Sequence, residues 1–225
     1  MNDPASRLAL VRDGIAATCK MARREASDVT LIAVTKGRSA DEIEPLITAG
    51  QSDFGESRVQ EAAAKWPALK ERHPDVRLHM IGRLQSNKAD EAIALFDSIH
   101  SLDRPSLLRA LVKAAGTPGR FPPAHVQVNI GAEEQKGGVP IGELAAFLGQ
   151  VRASPLPLAG LMCIPPAGQE PGPYFALLAE LARRHDVAGL SMGMSADYKT
   201  AVMLGATVVR VGSALFEDGT PGQSR

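Results

Sequence analysis

Lys36 closes the apolar run LIAVTK, residues 31–36, and an amine in that place admits two readings. On a solvated loop it is an ordinary ammonium group. At the rim of a buried sheet it loses hydration, its pKa falls, and the neutral amine becomes a nucleophile suited to Schiff-base formation with a carbonyl. A second group of residues stands far along the chain, in LSMGMSADYK, 190–199, and TVVRVGSALF, 207–216. Ser195 is placed to cap a helix N-terminus, and Gly212 with Ser213 opens a turn towards another short helix. Main-chain N–H groups and the positive ends of helix dipoles converging there would suit a phosphate. Either helix start alone is also ordinary structure, so it is the pair that points to an anion.

Other chemistries find little to work with. There is no GxxxxGK(S/T) and no HExxH, and His73, His79, His100, His125 and His185 lack metal-ligand spacing, so no metal site is expected. Gly193-Met194-Ser195-Ala196-Asp197 begins like a nucleophile elbow but ends in Asp where a serine hydrolase needs Gly. His79 lies at the end of the third strand region, where it either faces a ligand or is a satisfied structural histidine. Glu56, Arg58 and Lys136 have the same ambiguity, with a solvated rim as the plainer reading.

With 25 basic and 25 acidic residues in 225, the net charge is zero, and no overall field favours nucleic acid or an anionic membrane. Small molecules are the expected ligands. Cys19 and Cys163 form no CxxC, and neither a signal-peptide core nor a long uncharged apolar span is present, so a reducing cytoplasm is expected.

The elements that must position these residues read as an alternation. Short β-branched or apolar runs at 30–35, 52–55, 78–82, 97–101, 125–130, 158–164, 189–193 and 207–212 predict eight strands. Helical periodicity falls between them at 41–49, 59–71, 88–95, 105–115, 141–153, 173–184 and 196–204, and an extra helix at about 5–25 comes first. Eight such units favour a single α/β domain over 1–225, a (β/α)8 TIM barrel with an added N-terminal helix. Ser39 with Glu42 makes a capping box, Gly50 and Gly205 sit where helices stop, and Pro45 argues against a regular helix around it. Segments 115–124 and 165–173 read as loops. In such a barrel the C-terminal strand ends form the mouth where ligands bind, with phosphate often held after strands seven and eight. Ile32, Val34 and Lys36 share one parity, as do Val208, Arg210 and Gly212, so Lys36 and Arg210 are both expected to face inward.

A lysine amine on strand one and a phosphate pocket on strands seven and eight are what pyridoxal 5′-phosphate (PLP) requires: a partner for its aldehyde and an anchor for its anion. The segments AVTK, DFGESRVQE, HMIGRLQSNK, EEQKGG, GLMCIP and LSMGMSADYKTAVMLGATVVRVGSALF, in that order, resemble the YggS/PROSC family of pyridoxal phosphate homeostasis proteins. That family shares the barrel of alanine racemase. The resemblance implies Lys36 as the lysine that holds PLP as an aldimine, Ser195, Gly212 and Ser213 as phosphate contacts, and Arg210 near the pyridine nitrogen. Ser57 and His79 complete the cofactor-side set. Ser57 stands where the family has Asn, Ser213 replaces a Thr and keeps its hydroxyl, and Glu217 replaces a Gly just past the phosphate turn.

A racemase needs a base on each face of the cofactor, and alanine racemases take one from a second, β-rich domain for which this chain has no length. Tyr174 and Tyr198, the only tyrosines, lie in no recognisable second-base motif. Arginine keeps its proton, so Arg210 would leave the ring a poor electron sink. The leading expectation is intracellular PLP homeostasis, with storage of PLP and its transfer to PLP-dependent apo-enzymes by a monomer that turns over little or nothing. The alternatives are a weak PLP-dependent racemase or other enzyme acting on amino acids, and a Schiff-base aldolase acting on a phosphosugar.

Overall fold

The computed structural model describes residues 3–116, 119–133 and 135–216. Eight parallel strands close a barrel in chain order: β1 (Thr30–Val34), β2 (Asp53–Glu56), β3 (Arg77–Met80), β4 (Ser98–Leu102), β5 (Ala124–Gln127), β6 (Leu158–Met162), β7 (Gly189–Ser191) and β8 (Val208–Val211). β8 pairs back onto β1, with Ile32 opposite Arg210. Helix α1 (Pro4–Met21) precedes the barrel. The crossovers are α2 (Ala40–Thr48), α3 (Val59–Arg72), α4 (Ala89–Leu95), α5 (Pro105–Gly116), α6 (Leu144–Arg152), α7 (Gly172–Arg184) and α8 (Tyr198–Met203), and α9 (Ser213–Phe216) follows β8. This is the (β/α)8 architecture that the alternation predicts. Glu217 lies outside the described residues.

Several strands stop earlier than their apolar runs. β1 ends at Val34, β5 at Gln127, β6 at Met162, β7 at Ser191 and β8 at Val211. The turns beyond them are themselves buried at Val128, Ile130, Cys163 and Met192, so hydrophobicity outlasts the hydrogen-bonded ladder. The capping box forms as expected: Ser39 Oγ accepts from Glu42 N–H at 3.3 Å and Glu42 Oε2 accepts from Ser39 N–H at 2.8 Å. Gly50 and Gly205 terminate helices at φ +82° and +98°. Pro45, by contrast, does not interrupt α2. Full burial of Ile43 and Leu46, with the capped first turn, outweighs its missing N–H.

The two faces of the barrel strands differ sharply. Leu31, Ala33, Phe54, Leu78, Ile99, Val126, Leu161, Leu190 and Val209 join the helices in one hydrophobic core. The opposite row holds Ile32 and Met162 together with His79, His100, His125, Ser191 and Arg210. Barrel interiors are usually filled by branched aliphatic residues, so this polar row marks the interior as a place with a task. Gly160 makes space within it, for a Cβ there would lie 2.7 Å from His125 Cδ2.

Helix α1 and the turn that follows it are tied to the helices around the barrel by two arginines, Arg12 and Arg24. Arg12 donates to Ala49 O at 3.2 Å and Gly50 O at 2.8 Å, and Arg24 donates to Val202 O at 3.0 Å and Ala206 O at 2.8 Å. Gly14 of α1 sits against Tyr198, where an added Cβ would be 2.5 Å from the phenolic oxygen. Among the described residues, no helix is long and apolar enough to cross a membrane.

Candidate functional site

Lys36 stands in a turn two residues beyond β1. Thr35 N–H donates to Gly55 O at 3.0 Å, and Arg38 N–H closes the turn on Thr35 O at 3.0 Å, with Gly37 at φ +70°. The side chain of Lys36 is exposed. The burial expected of it is therefore corrected: the strand ends before it, so the lysine belongs to the rim rather than to the inward row.

Beneath it lies a clamp that is buried at its Glu56 end. Lys65, on α3, donates to Thr35 O at 2.8 Å, Arg38 O at 2.9 Å and Glu61 Oε1 at 3.1 Å, and Glu61 Oε1 also accepts from Gly37 N–H at 2.5 Å. Lys65 Nζ lies 2.8 Å from Glu56 Oε1, an oxygen that further accepts from Thr35 Oγ1 at 2.6 Å and Trp66 Nε1 at 3.0 Å. Glu56 is wholly buried, not part of a solvated rim. The carbonyls on both sides of Lys36–Gly37 are thus held by one ammonium, which fixes the backbone while the Lys36 side chain stays free. Of this clamp, only the Glu61–Lys65 spacing on one helix face is readable in the sequence.

On the neighbouring strand, β8, a second turn is assembled. Ser195 does not cap α8, whose N-cap is Asp197. Its Oγ instead accepts from Gly212 N–H at 3.1 Å and Ala214 N–H at 3.4 Å. Two main-chain amides therefore converge on one oxygen position, and the Ser195 hydroxyl, polarised by both, keeps its own proton to donate. Ser213 is exposed as the first residue of α9. A Cβ on Gly212 would lie 3.2 Å from Val34 Cβ, so this turn and the Lys36 turn stand side by side at the mouth.

Beneath them, Arg210 points inward, as its parity requires, and is only 4% exposed. It donates through Nη1 to Ser191 Oγ at 2.7 Å and through Nη2 to Cys163 O at 2.9 Å. From Ser191 a chain of contacts crosses the barrel to His100 Nδ1 (2.9 Å), from His100 Nε2 to His79 Nδ1 (3.1 Å), and from His79 Nε2 to Asp53 Oδ1 (2.9 Å). With neutral rings every donor runs one way, from guanidinium to carboxylate. Burial, then the neighbouring histidine and arginine charges, hold the His100 pKa well below its usual value. Burial, then His79 and Arg210, bring that of His125, stacked on His100 at 4.1 Å, down to about 3. Burial pushes Asp53 upward, but hydrogen bonds from His79 and Arg77 outweigh it and leave the carboxyl below its ordinary value.

Both ring nitrogens of His79 are thus engaged, and Asp53 begins β2 at the end of the barrel away from the mouth. His79 takes the structural reading of its two. Ser57 lies against Gly82, where a Cβ would come within 2.3 Å of Ser57 O, and it lines a cavity between the β2–α3 and β3–α4 loops. Lys136 pairs with Glu133 at 2.6 Å, donates to Pro165 O at 3.2 Å, and lines a separate cavity of about 300 Å³ with Asn129 and Ile81. Tyr198 is buried against α1, and Tyr174 donates to Gln169 on α7's approach, so neither tyrosine joins the Lys36 turn.

A closed parallel barrel carrying a lysine turn and an amide turn on adjacent strands defines the class, and residues 11–219 match the family described as alanine racemase, N-terminal domain. The chain belongs, more narrowly, to the pyridoxal phosphate homeostasis protein family. The relative of that name from Synechocystis is 40% identical over 200 residues, covering 84% of this chain and 91% of its own. The one from Escherichia coli K12 is 37% identical over 228 residues, covering 96% and 97%. Among solved structures, PipY of Synechococcus elongatus with PLP bound is 39% identical with a TM-score of 0.82, covering 95% of this chain and 100% of that one. Alanine racemase from Clostridium difficile, at 15% identity and a TM-score of 0.69, covers 94% of this chain and 57% of its own, and shares the fold alone.

Proposed function

We propose that this protein holds PLP at the barrel mouth and serves intracellular PLP homeostasis, keeping the cofactor and passing it to recipient apo-enzymes. The observation that carries this reading is the adjacency of the Lys36 turn to the Ser195–Gly212–Ala214 oxygen site on neighbouring strands. The donor set fits the group: amides and a polarised hydroxyl for a phosphate, an unburied amine for an aldehyde, and a protonated arginine for a ring nitrogen. Bound PLP supplies the aldehyde and an electron-withdrawing ring. Lys36 would attach it covalently, Ser195, Gly212 and Ser213 would bind the phosphate, and Ser57 would flank the ring. Arg210, fixed by Ser191 and Cys163 O, offers an N–H and keeps its proton, so the ring is held rather than activated.

Storage is favoured over turnover because both tyrosines are committed elsewhere, leaving the mouth without a phenolic second base. Buried, unpaired Cys19 and Cys163 suit a reducing cytoplasm. We infer that the protein works there as a single-domain monomer, which sedimentation of the loaded protein checks. The test of function is transfer. Purified, PLP-loaded protein should restore activity to a PLP-dependent apo-enzyme while racemisation and transamination of amino acids stay at background. Efficient turnover without transfer overturns the reading.

A further inference from the structure

The cavity beside Ser57 has a charge that the rest of the chain does not. It encloses about 890 Å³ and is lined by Arg58, Arg83, Lys88 and Arg104, with no carboxylate among its lining residues. The whole sequence, by contrast, balances 25 basic against 25 acidic residues. At its floor the backbones of Ser57 and Gly82 pack too closely to admit a Cβ, which brings together the two loops that form it. Two of the cations are occupied: Arg104 binds Asp103 and Leu84 O, and Lys88 pairs with Glu91 at 2.7 Å. Arg58 faces only the field of Glu61. Arg83 is exposed and makes no ion pair or hydrogen bond among the described residues, and it also lines the smaller cavity that holds Lys136. An uncommitted guanidinium therefore stands between this basic cavity and the smaller one that holds Lys136.

We propose that the cavity receives an acidic segment of a partner protein, a loop or terminus carrying several carboxylates, and that the partner is a recipient of the cofactor. The inference rests on the carrier reading for the partner's identity, but not for the binding itself. A single small anion can engage one or two of the cations, whereas an extended chain of carboxylates can reach Arg58, Arg83 and the free donors of Lys88 and Arg104 together. Gln60, Gln85 and Asn87 in the lining provide donors and acceptors for the main chain of such a segment. Docking there would bring a recipient's surface to the edge of the mouth without covering Lys36.

The experiment measures anisotropy of a fluorophore-labelled oligoglutamate peptide titrated with the full-length protein, beside an oligoglutamine control and a single-stranded oligonucleotide of equal length. The glutamate peptide should bind best, with affinity falling as salt rises, and Arg58→Gln with Arg83→Gln should weaken it by about tenfold or more, the scale of charge-assisted hydrogen bonds lost. Unchanged binding by this double variant, shown folded by its Trp66 fluorescence, overturns the proposal. So does tighter binding of the oligonucleotide, or full displacement of the peptide by inorganic phosphate at equal concentration. Peptide binding without cofactor transfer would sink the carrier reading alone, and transfer without peptide binding would sink this one alone.

Discussion

Replacing Lys65 with Met tests the clamp beneath the Lys36 turn. The thioether fills much of the same space but removes the ammonium that bonds Thr35 O, Arg38 O and Glu61 and pairs with Glu56. Glu56 has a fully buried side chain, and its Oε2 already has no hydrogen-bond partner, so the variant leaves a buried carboxylate supported only by Thr35 and Trp66. Breaking a buried pair in this way costs about 3–5 kcal/mol. Because Lys65 is 11% exposed and water can enter, the lower end applies, about 3 kcal/mol. For a chain of this size each kcal/mol lowers Tm by about 2–4 °C, which gives a fall of about 6–12 °C. Thermal unfolding can be followed by the emission of Trp66, the only tryptophan, which bonds Glu56 directly. Adding Glu56→Gln to the variant removes the stranded charge and should recover part of the loss. A fall below about 2 °C, or a double variant that loses the sum of the single losses, would refute the reasoning.

Borohydride reduction of the PLP-loaded protein, followed by peptide mapping, should place the pyridoxyl group on Lys36, and Lys36→Ala should abolish that adduct; an adduct wholly on Lys136 would reassign the site. Ser195→Ala with Ser213→Ala should weaken cofactor retention by about 1–3 kcal/mol in equilibrium dialysis, the worth of hydrogen bonds to a charged group, and unchanged affinity would move the phosphate elsewhere. The pH dependence of stability follows from His100 and His125, whose folded pKa values lie below the unfolded 6.5. Their contribution is fully present above that value and is lost as pH falls, because the unfolded chain takes up protons that the fold refuses. His125 alone gives a loss of about 1.4 kcal/mol per pH unit between about pH 6 and 4, His100 adds to it in the same direction, and a flat urea midpoint across that range would contradict it.

The barrel was legible because its signals are local: runs alternating with helical periodicity, the Ser39–Glu42 box, the stop at Gly50. Parity alone also put Arg210 inside. The same parity failed at Lys36, since β1 ends at Val34 and parity has no meaning beyond the last rung. Ser195 was misread as a cap because its true partners, Gly212 and Ala214, come from another strand's turn. Lys65 escaped notice for a like reason. It meets Thr35 across 30 residues of chain, and nothing in its own helix announces a carbonyl waiting there. Glu56 looked like a rim residue, for a carboxylate's burial depends on donors that only the closed fold brings to it.

The polar row inside the barrel also bears on how the chain reaches its fold. Parallel strands pair across long crossovers, and a shift of one residue exchanges the two faces of a strand. Where both faces are aliphatic, as in most buried parallel sheets, such a slip trades one apolar row for another at modest cost. Here a slipped β8 would turn Arg210 into the helix layer, unpaired, and set Val209 among the imidazoles. A slipped β7 would do the same with Ser191 and Leu190. The chain of contacts from Asp53 to Arg210 thus raises the cost of a misaligned barrel, because each slip parts polar groups from the partners they have in the native register.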